Sequence, residues 1–179
     1  MFYPISLWNI LVFQATKSLA PAPYSILHVL NIILRTASGI SPKSVHAYQV
    51  GEHGDSEFAL WSNANIGGQP ITDLISASEL KNIETDTKNQ AYEIINKKGA
   101  TYYGIGACVT RIVNCIFNDE NRVLPVSTYD NFSDCFFGFP TIVGRKGIVR
   151  RLDTELTEME AIRMQSSINV IKRSLREVL

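Results

Sequence analysis

One histidine in this sequence stands where an imidazole can trade protons with a small molecule. His53 lies between two glycines in Gly51-Glu52-His53-Gly54-Asp55-Ser56. Glycine on both sides leaves open space around the ring and lets backbone and ligand approach closely. The flanking carboxylates, Glu52 and Asp55, are placed to favour the charged ring or to hold its orientation. A histidine so placed suits general acid–base chemistry near neutral pH. Read without its surroundings, a histidine in a glycine turn is more often structural or simply exposed. The cysteines suggest less. Cys108 and Cys115 share one face of an expected helix and read as buried thiols, so no metal site is expected.

The elements that must position His53 follow from pattern. Residues 44–50, Ser-Val-His-Ala-Tyr-Gln-Val, alternate and are β-prone, which predicts a strand running into the glycine turn. Residues 57–62 extend or begin a helix, and Gly67-Gly68 marks a turn. Ala91, Ile94, Ile95 and Lys98 have helical spacing over 86–98, with Gly99 as the stop and Lys97-Lys98 favourably placed at the C-terminal end. A small-residue helix is expected over 102–117, then a turn at Asn118-Asp119. Residues 122–129 and 135–151 read as strands with connections at Asp130-Asn131 and Arg145-Lys146-Gly147. The last segment, 157–179, reads as an amphipathic helix. Thr157 and Glu160 would form a capping box there, with a core stripe of Met159, Ile162, Ile168, Ile171, Leu175 and Val178. Trp61 is expected in a core or interface. Arg145-Lys146 and Arg150-Arg151 are expected on a solvated hairpin face. Helix, paired strands and helix make an α+β fold, not a string of βαβ units.

Composition narrows the function classes. The chain has 179 residues, 45% hydrophobic and 19% charged, enough apolar material for a packed core. Lys+Arg and Asp+Glu both number 17, a balance that argues against a dedicated nucleic-acid binder. Three cysteines give no disulfide framework and point to a reducing compartment. No uninterrupted apolar run of about 18 residues is present, so no membrane-spanning helix is expected. The N-terminus has no cationic residue ahead of its apolar stretch, so no signal peptide is expected.

Residues 41–68, from Ser41-Pro42-Lys43 through Gly51-Glu52-His53-Gly54-Asp55 to Gly67-Gly68, resemble the catalytic strand and loop of the L-lactate dehydrogenases. The resemblance continues through 91–105 (Ala-Tyr-Glu-Ile-Ile-Asn-Lys-Lys-Gly-Ala-Thr-Tyr-Tyr-Gly-Ile), through 118–127 and in Leu156-Thr157. It covers residues 37–179, and its wording favours bacterial lactate enzymes within the lactate/malate dehydrogenase superfamily. It implies the α+β C-terminal, substrate-binding domain of that family. It further implies NAD as cofactor, pyruvate and L-lactate as substrates, a dimeric or tetrameric homo-oligomer and a cytoplasmic place in fermentative glycolysis. Carried over position by position, it makes His53 the catalytic acid–base, Thr101 a pocket-lining threonine and Ile105 the apolar residue against the nicotinamide. His46 falls at a position that binds fructose 1,6-bisphosphate in allosteric members, although a half-buried strand histidine explains it as well. Malate and branched 2-hydroxy acids remain alternative substrates, and a non-catalytic remnant or interaction module remains an alternative role.

The same resemblance marks what is missing. The family's Rossmann NAD-binding domain opens with a glycine-rich turn after a buried strand. The nearest run here, Gly104-Ile105-Gly106, lacks a third glycine and falls in a predicted helix. That domain is expected to be absent from these residues, and the chain to be inactive alone. The family also carries a segment GSGTxLDxARF upstream of its histidine. Its Asp orients the imidazole and its Arg clamps the substrate carboxylate. A gapless count places the segment at residues 20–30, where the Asp position holds Ile26 and the Arg position Val29. Regrouping the codons of residues 20–30 one base earlier permits Gly-Ser-Gly-Thr-Ile-Leu-Asp-Thr-Ala-Arg-Phe, the family segment throughout. Residues 1–36 contain no Asp, Glu or Gly, as an out-of-frame reading would explain. They are therefore read as a frameshifted, poorly structured segment ahead of a domain at 37–179.

Overall fold

The computed structural model describes residues 39–99 and 102–178. The expected frameshifted segment, 1–36, and the pocket threonine, Thr101, lie outside the described residues.

The longest sheet is an antiparallel meander of β6 (Arg122–Asp130), β7 (Cys135–Gly144) and β8 (Gly147–Arg151), in that order. Its strands fall where alternation predicts them. The first connection is longer than the Asp130-Asn131 pair. It uses residues 131–134, and the Asp130 carboxylate accepts from the Ser133 backbone N–H at 2.8 Å and hydroxyl at 2.7 Å. Two smaller units precede the meander. β1 (Val45–His46), β4 (Asn65–Ile66) and β5 (Gln69–Pro70) form one antiparallel sheet, and β2 (Gln49–Val50) pairs with β3 (Phe58–Ala59) in a ribbon. The expected single strand over 44–50 is therefore two short strands in different sheets. Its first half bonds to β4 and its second to β3. Gly67 and Gly68 make the β4–β5 turn with φ of +62° and +88°.

Among the described residues three α-helices accompany the sheets: α1 (Ala77–Lys98), α2 (Tyr102–Phe117) and α3 (Glu158–Val178). α1 begins well before residue 86. Ser76 and Glu79 close a capping box, with the Ser76 hydroxyl accepting from Glu79 N–H at 3.3 Å and the Glu79 carboxylate from Ser76 N–H at 3.1 Å. Apolar spacing passes over this start because the first turns of α1 are largely polar. Gly99 ends the helix in the left-handed region, φ +77°. α3 opens on the expected Thr157–Glu160 box.

Three apolar clusters tie the layers together. Leu80 and Ile83 of α1 pack on Val45, Ala47, Ala59, Ala64 and Ile71, with Trp61 half-buried against them. Met164 and Ile168 of α3 pack on Val50, Phe58, Leu60, Phe137 and Phe139. Ile112 and Cys115 of α2 pack on Leu124, Val126 and Val143. Cys108 is also buried, as expected, and burial pushes its thiol up to about 11, which keeps it unreactive.

Two expectations need correction. The buried face of α3 is Glu160, Met164, Ser167 and Ile168, with Ile171 packed beside them. Met159, Ile162 and Leu175 are exposed, and the Val178 side chain is outside the description. Glu160 and Ser167 have bonding partners inside, so a stripe drawn from apolar residues alone is rotated away from the true core side. Arg151 is also not a plain solvated cation. It pairs with Asp130 at 2.7 Å and its guanidinium lies over the Phe137 and Phe139 rings. Arg145, Lys146 and Arg150 are exposed, as expected.

Candidate functional site

His53 sits on the loop between β2 and β3, and that loop is fastened on three sides. Beneath it, Gly51 forms a backbone bridge to Gly138 of β7, with N–H···O distances of 2.9 and 2.8 Å. Gly51 has φ +99°, and a Cβ there would stand 2.6 Å from Ser167 Oγ, so both conformation and space demand glycine. From α3, the Ser167 hydroxyl accepts the Glu52 backbone N–H at 2.6 Å and lies 3.2 Å from Ser56 Oγ. From α1, Lys88 Nζ donates to the Asp55 carbonyl at 2.7 Å and the Tyr92 hydroxyl to the Asp55 carboxylate at 2.9 Å.

These bonds change the roles of the flanking carboxylates. Glu52 accepts from Ser56 Oγ at 2.6 Å and Asp55 is taken by Tyr92, so both serve the loop and neither holds the ring. The carboxylate beside the imidazole is Glu57, one helical turn on in sequence. Its Oε2 is 3.6 Å from His53 Nδ1. The two side chains differ sharply in access, His53 being 46% exposed and Glu57 only 4%. Burial pushes the Glu57 carboxyl above its usual value, against the pull of His53 and of the Lys88 cation, while the nearby Glu52 adds to the rise. The imidazole is thus open to solvent on one side and backed by a buried carboxylate on the other. That arrangement can pass a proton to a small molecule at the free nitrogen.

The other expected site residues are more scattered. Ile105 is exposed on α2, in a stripe with Tyr102, Val109, Val113 and Phe117. His46 is exposed on β1 opposite Asn65, more open than a half-buried strand histidine. Neither shares a hydrogen bond or ion pair with His53. A cavity of about 470 Å³, lined by Asp130, Phe137, Phe139, Arg151, Met164 and Ile168 among others, is separate from the 51–57 loop. Glu57, Ser167, Lys88 and Tyr92 escaped sequence reasoning. Only Glu57 carried a signal, its i+4 spacing from His53.

The described residues offer no dinucleotide cradle. Gly104 and Gly106 lie inside α2 with open space around them, so they form no strand-to-helix phosphate cradle. The exposed apolar stripe of α2 offers a surface for a flat ring and nothing for a pyrophosphate. These residues alone therefore do not fit NAD.

The family model for the lactate/malate dehydrogenase alpha/beta C-terminal domain matches residues 29–179. The chain belongs to this family. The L-lactate dehydrogenase of Streptococcus equi subsp. zooepidemicus is 44% identical over 150 residues, which cover 78% of this chain and 46% of that one. The minor L-lactate dehydrogenase of Enterococcus mundtii superposes with a TM-score of 0.83 at 37% identity, covering 89% of this chain and 54% of that one. The malate dehydrogenase of Aeropyrum pernix superposes with a TM-score of 0.79 at 26% identity, covering 85% and 53%. The chain spans about half the length of the curated relatives it matches. The Gly51–Glu57 loop lies within the residues that the lactate/malate dehydrogenase C-terminal domain model matches.

Proposed function

We propose that this chain carries the proton-transfer half of an NAD-dependent L-lactate dehydrogenase. His53 gives a proton to the carbonyl oxygen of pyruvate as it is reduced, and takes it back from L-lactate in reverse. NAD, when bound by the other half of such an enzyme, supplies the hydride. The observation that carries this reading is the open imidazole of His53, with a buried carboxylate 3.6 Å from Nδ1, on a loop anchored to β7, α1 and α3. Thr101 would line the substrate pocket and Ile105 would pack on the nicotinamide. His46 would contribute to a sugar-bisphosphate site. A cytoplasmic homo-oligomer fits the same reading.

The 179 residues alone are expected to be inactive, because nothing in the described residues cradles a dinucleotide and the orienting Asp and clamping Arg positions hold Ile26 and Val29. Losing the orienting carboxylate of a comparable histidine costs about 10⁴ in rate in the serine-protease template. Purified chain that oxidises NADH with pyruvate at ordinary enzyme rates would refute this part. The frameshift reading of residues 1–36 is checked by the coding DNA. A dehydrogenase reading one frame away is expected upstream and across these codons, and its absence in every frame would end the idea.

The likeness to a malate dehydrogenase favours a second substrate reading, a C4 or branched 2-oxo acid. A hybrid with residues 39–179 in place of the matching half of the streptococcal enzyme, assayed with pyruvate, oxaloacetate and a branched 2-oxo acid, separates the two. Pyruvate is expected to be turned over fastest.

A further inference from the structure

A hydroxyl inside a helix can always bond the carbonyl four residues back. Thr85 and Thr87 of α1 and Thr110 of α2 do so, at 3.0, 2.6 and 2.8 Å. Ser167 of α3 directs its hydroxyl to the 51–57 loop instead. It is fully buried and accepts the Glu52 backbone N–H at 2.6 Å. The place of its own proton follows by elimination, since a serine hydroxyl has only one to give. Ser56 gives its proton to the Glu52 carboxylate at 2.6 Å, so Ser167 is the donor in the 3.2 Å pair of the two hydroxyls. The bonds close into a ring: Glu52 N–H to Ser167, Ser167 to Ser56, Ser56 to the Glu52 carboxylate. Alanine at 167 could neither accept nor donate in it.

This ring brackets His53. Glu52 precedes the histidine, and its carboxylate lies so close over Gly54 that a Cβ there would have no room. The imidazole itself is 46% exposed, so the direction it takes depends on the backbone at each side of it. The rest of α3 holds the following residues in the same way. Arg163 lies over the Phe58 ring at 4.6 Å, and Glu160 accepts from the Ser62 backbone and hydroxyl.

We infer that Ser167 is a positioning residue for His53: its hydroxyl, accepting from Glu52 N–H and donating to Ser56, fixes the backbone that aims the imidazole, and so makes the placement of that ring depend on α3. This rests on the acid–base assignment of His53.

NMR of the full chain carrying His28→Gln and His46→Gln leaves His53 as the one imidazole to follow. In Ser167→Ala the Glu52 amide is expected to exchange with water about 10-fold faster or more, as loss of its bond requires. The His53 ring signals should move while the β6–β7 amides keep their protection. A folded Ser167→Ala chain with unmoved ring signals and unchanged Glu52 exchange would overturn the inference. So would a Glu52 amide that exchanges freely in the chain with Ser167 intact, even if the Ala variant fails to fold. In the streptococcal hybrid, Ser167→Ala is expected to lower kcat about 10-fold or more with KM nearly unchanged, because small misplacements of a reacting group cost up to about 10²-fold. A variant that unfolds earlier in urea yet keeps the unsubstituted hybrid's kcat would make the bond structural only and overturn the inference. A hybrid that ignores His53→Gln would sink the dehydrogenase reading, and the NMR outcome would still decide whether Ser167 sets the ring.

Discussion

The 51–57 loop and the β6–β8 meander meet at the Gly51–Gly138 bridge, yet they are held by different forces. The meander is a continuous backbone ladder, nine residue pairs between β6 and β7, with apolar side chains packed under α2 and α3. The loop contributes almost no apolar burial before Phe58. It is held by named polar contacts from residues far away in sequence: Ser167, Lys88 and Tyr92. The meander is thus a rigid platform that many substitutions would weaken slightly. The loop is a positioned device in which a few atoms decide everything.

That contrast predicts different responses to mutation. The largest effect on stability is expected from Phe139→Ala, which empties part of the α3–β7 core. A loss of about 3–5 kcal/mol is expected in urea unfolding. At a temperature where the variant is still folded, the His53 ring signals should be unchanged. If they move with the core, the two regions are not separable.

Gly51→Ala comes next. It forces a side chain into positive φ and against Ser167 Oγ, with an expected cost of about 2–3 kcal/mol. Adding Ser167→Gly should recover part of that loss in a double-mutant cycle. Strict additivity would mean the contact is not what fixes the loop.

Glu160 joins the two kinds of construction. It caps α3 through Thr157 and accepts the Ser62 backbone N–H at 3.1 Å and hydroxyl at 2.6 Å. Burial acts to raise its carboxyl, but the bonds from Ser62 and Thr157 outweigh it and hold the group below its usual value. A carboxyl lowered on folding adds stability that is complete above its unfolded value, about 4.3, and is lost as pH falls through the folded one. Glu160→Gln should therefore cost about 2 kcal/mol at neutral pH. The gap to wild type should close on acidification below about pH 4. A gap independent of pH would show that the charge contributes nothing.

The smallest effect is a gain. Gln49 is fully buried in β2, and among the described residues neither side-chain amide atom has a partner. Gln49→Leu should raise stability by about 1 kcal/mol, read as a higher Tm. A loss would reveal a bound water or partner that the loop depends on.

The same contrast explains what the sequence disclosed. β6, β7, β8, α2 and the Thr157–Glu160 cap are written in local periodicity and short-range spacing, and they were readable from it. The GEHGD run of residues 51–55 and its openness were readable too, because glycines advertise space. The partners of that run were not. Ser167 reaches Glu52 across 115 positions, and no local pattern announces such a contact. The roles of Glu52 and Asp55 are hidden for the same reason. Adjacency to His53 suggests that they face the ring, while Ser56 engages the Glu52 carboxylate and Tyr92 the Asp55 carboxylate. On α3, Glu160 and Ser167 defeated a stripe drawn by apolarity, since each is buried through hydrogen bonds.

The most direct test of the central claim is His53→Gln in the hybrid that joins residues 39–179 to the half of the streptococcal relative that this chain does not match. With pyruvate and NADH, the acid–base assignment predicts a fall in kcat of about 10³-fold or more, since general acid–base catalysis alone contributes 10²–10⁴. KM should change little. A hybrid that turns over pyruvate equally well without the imidazole would contradict it.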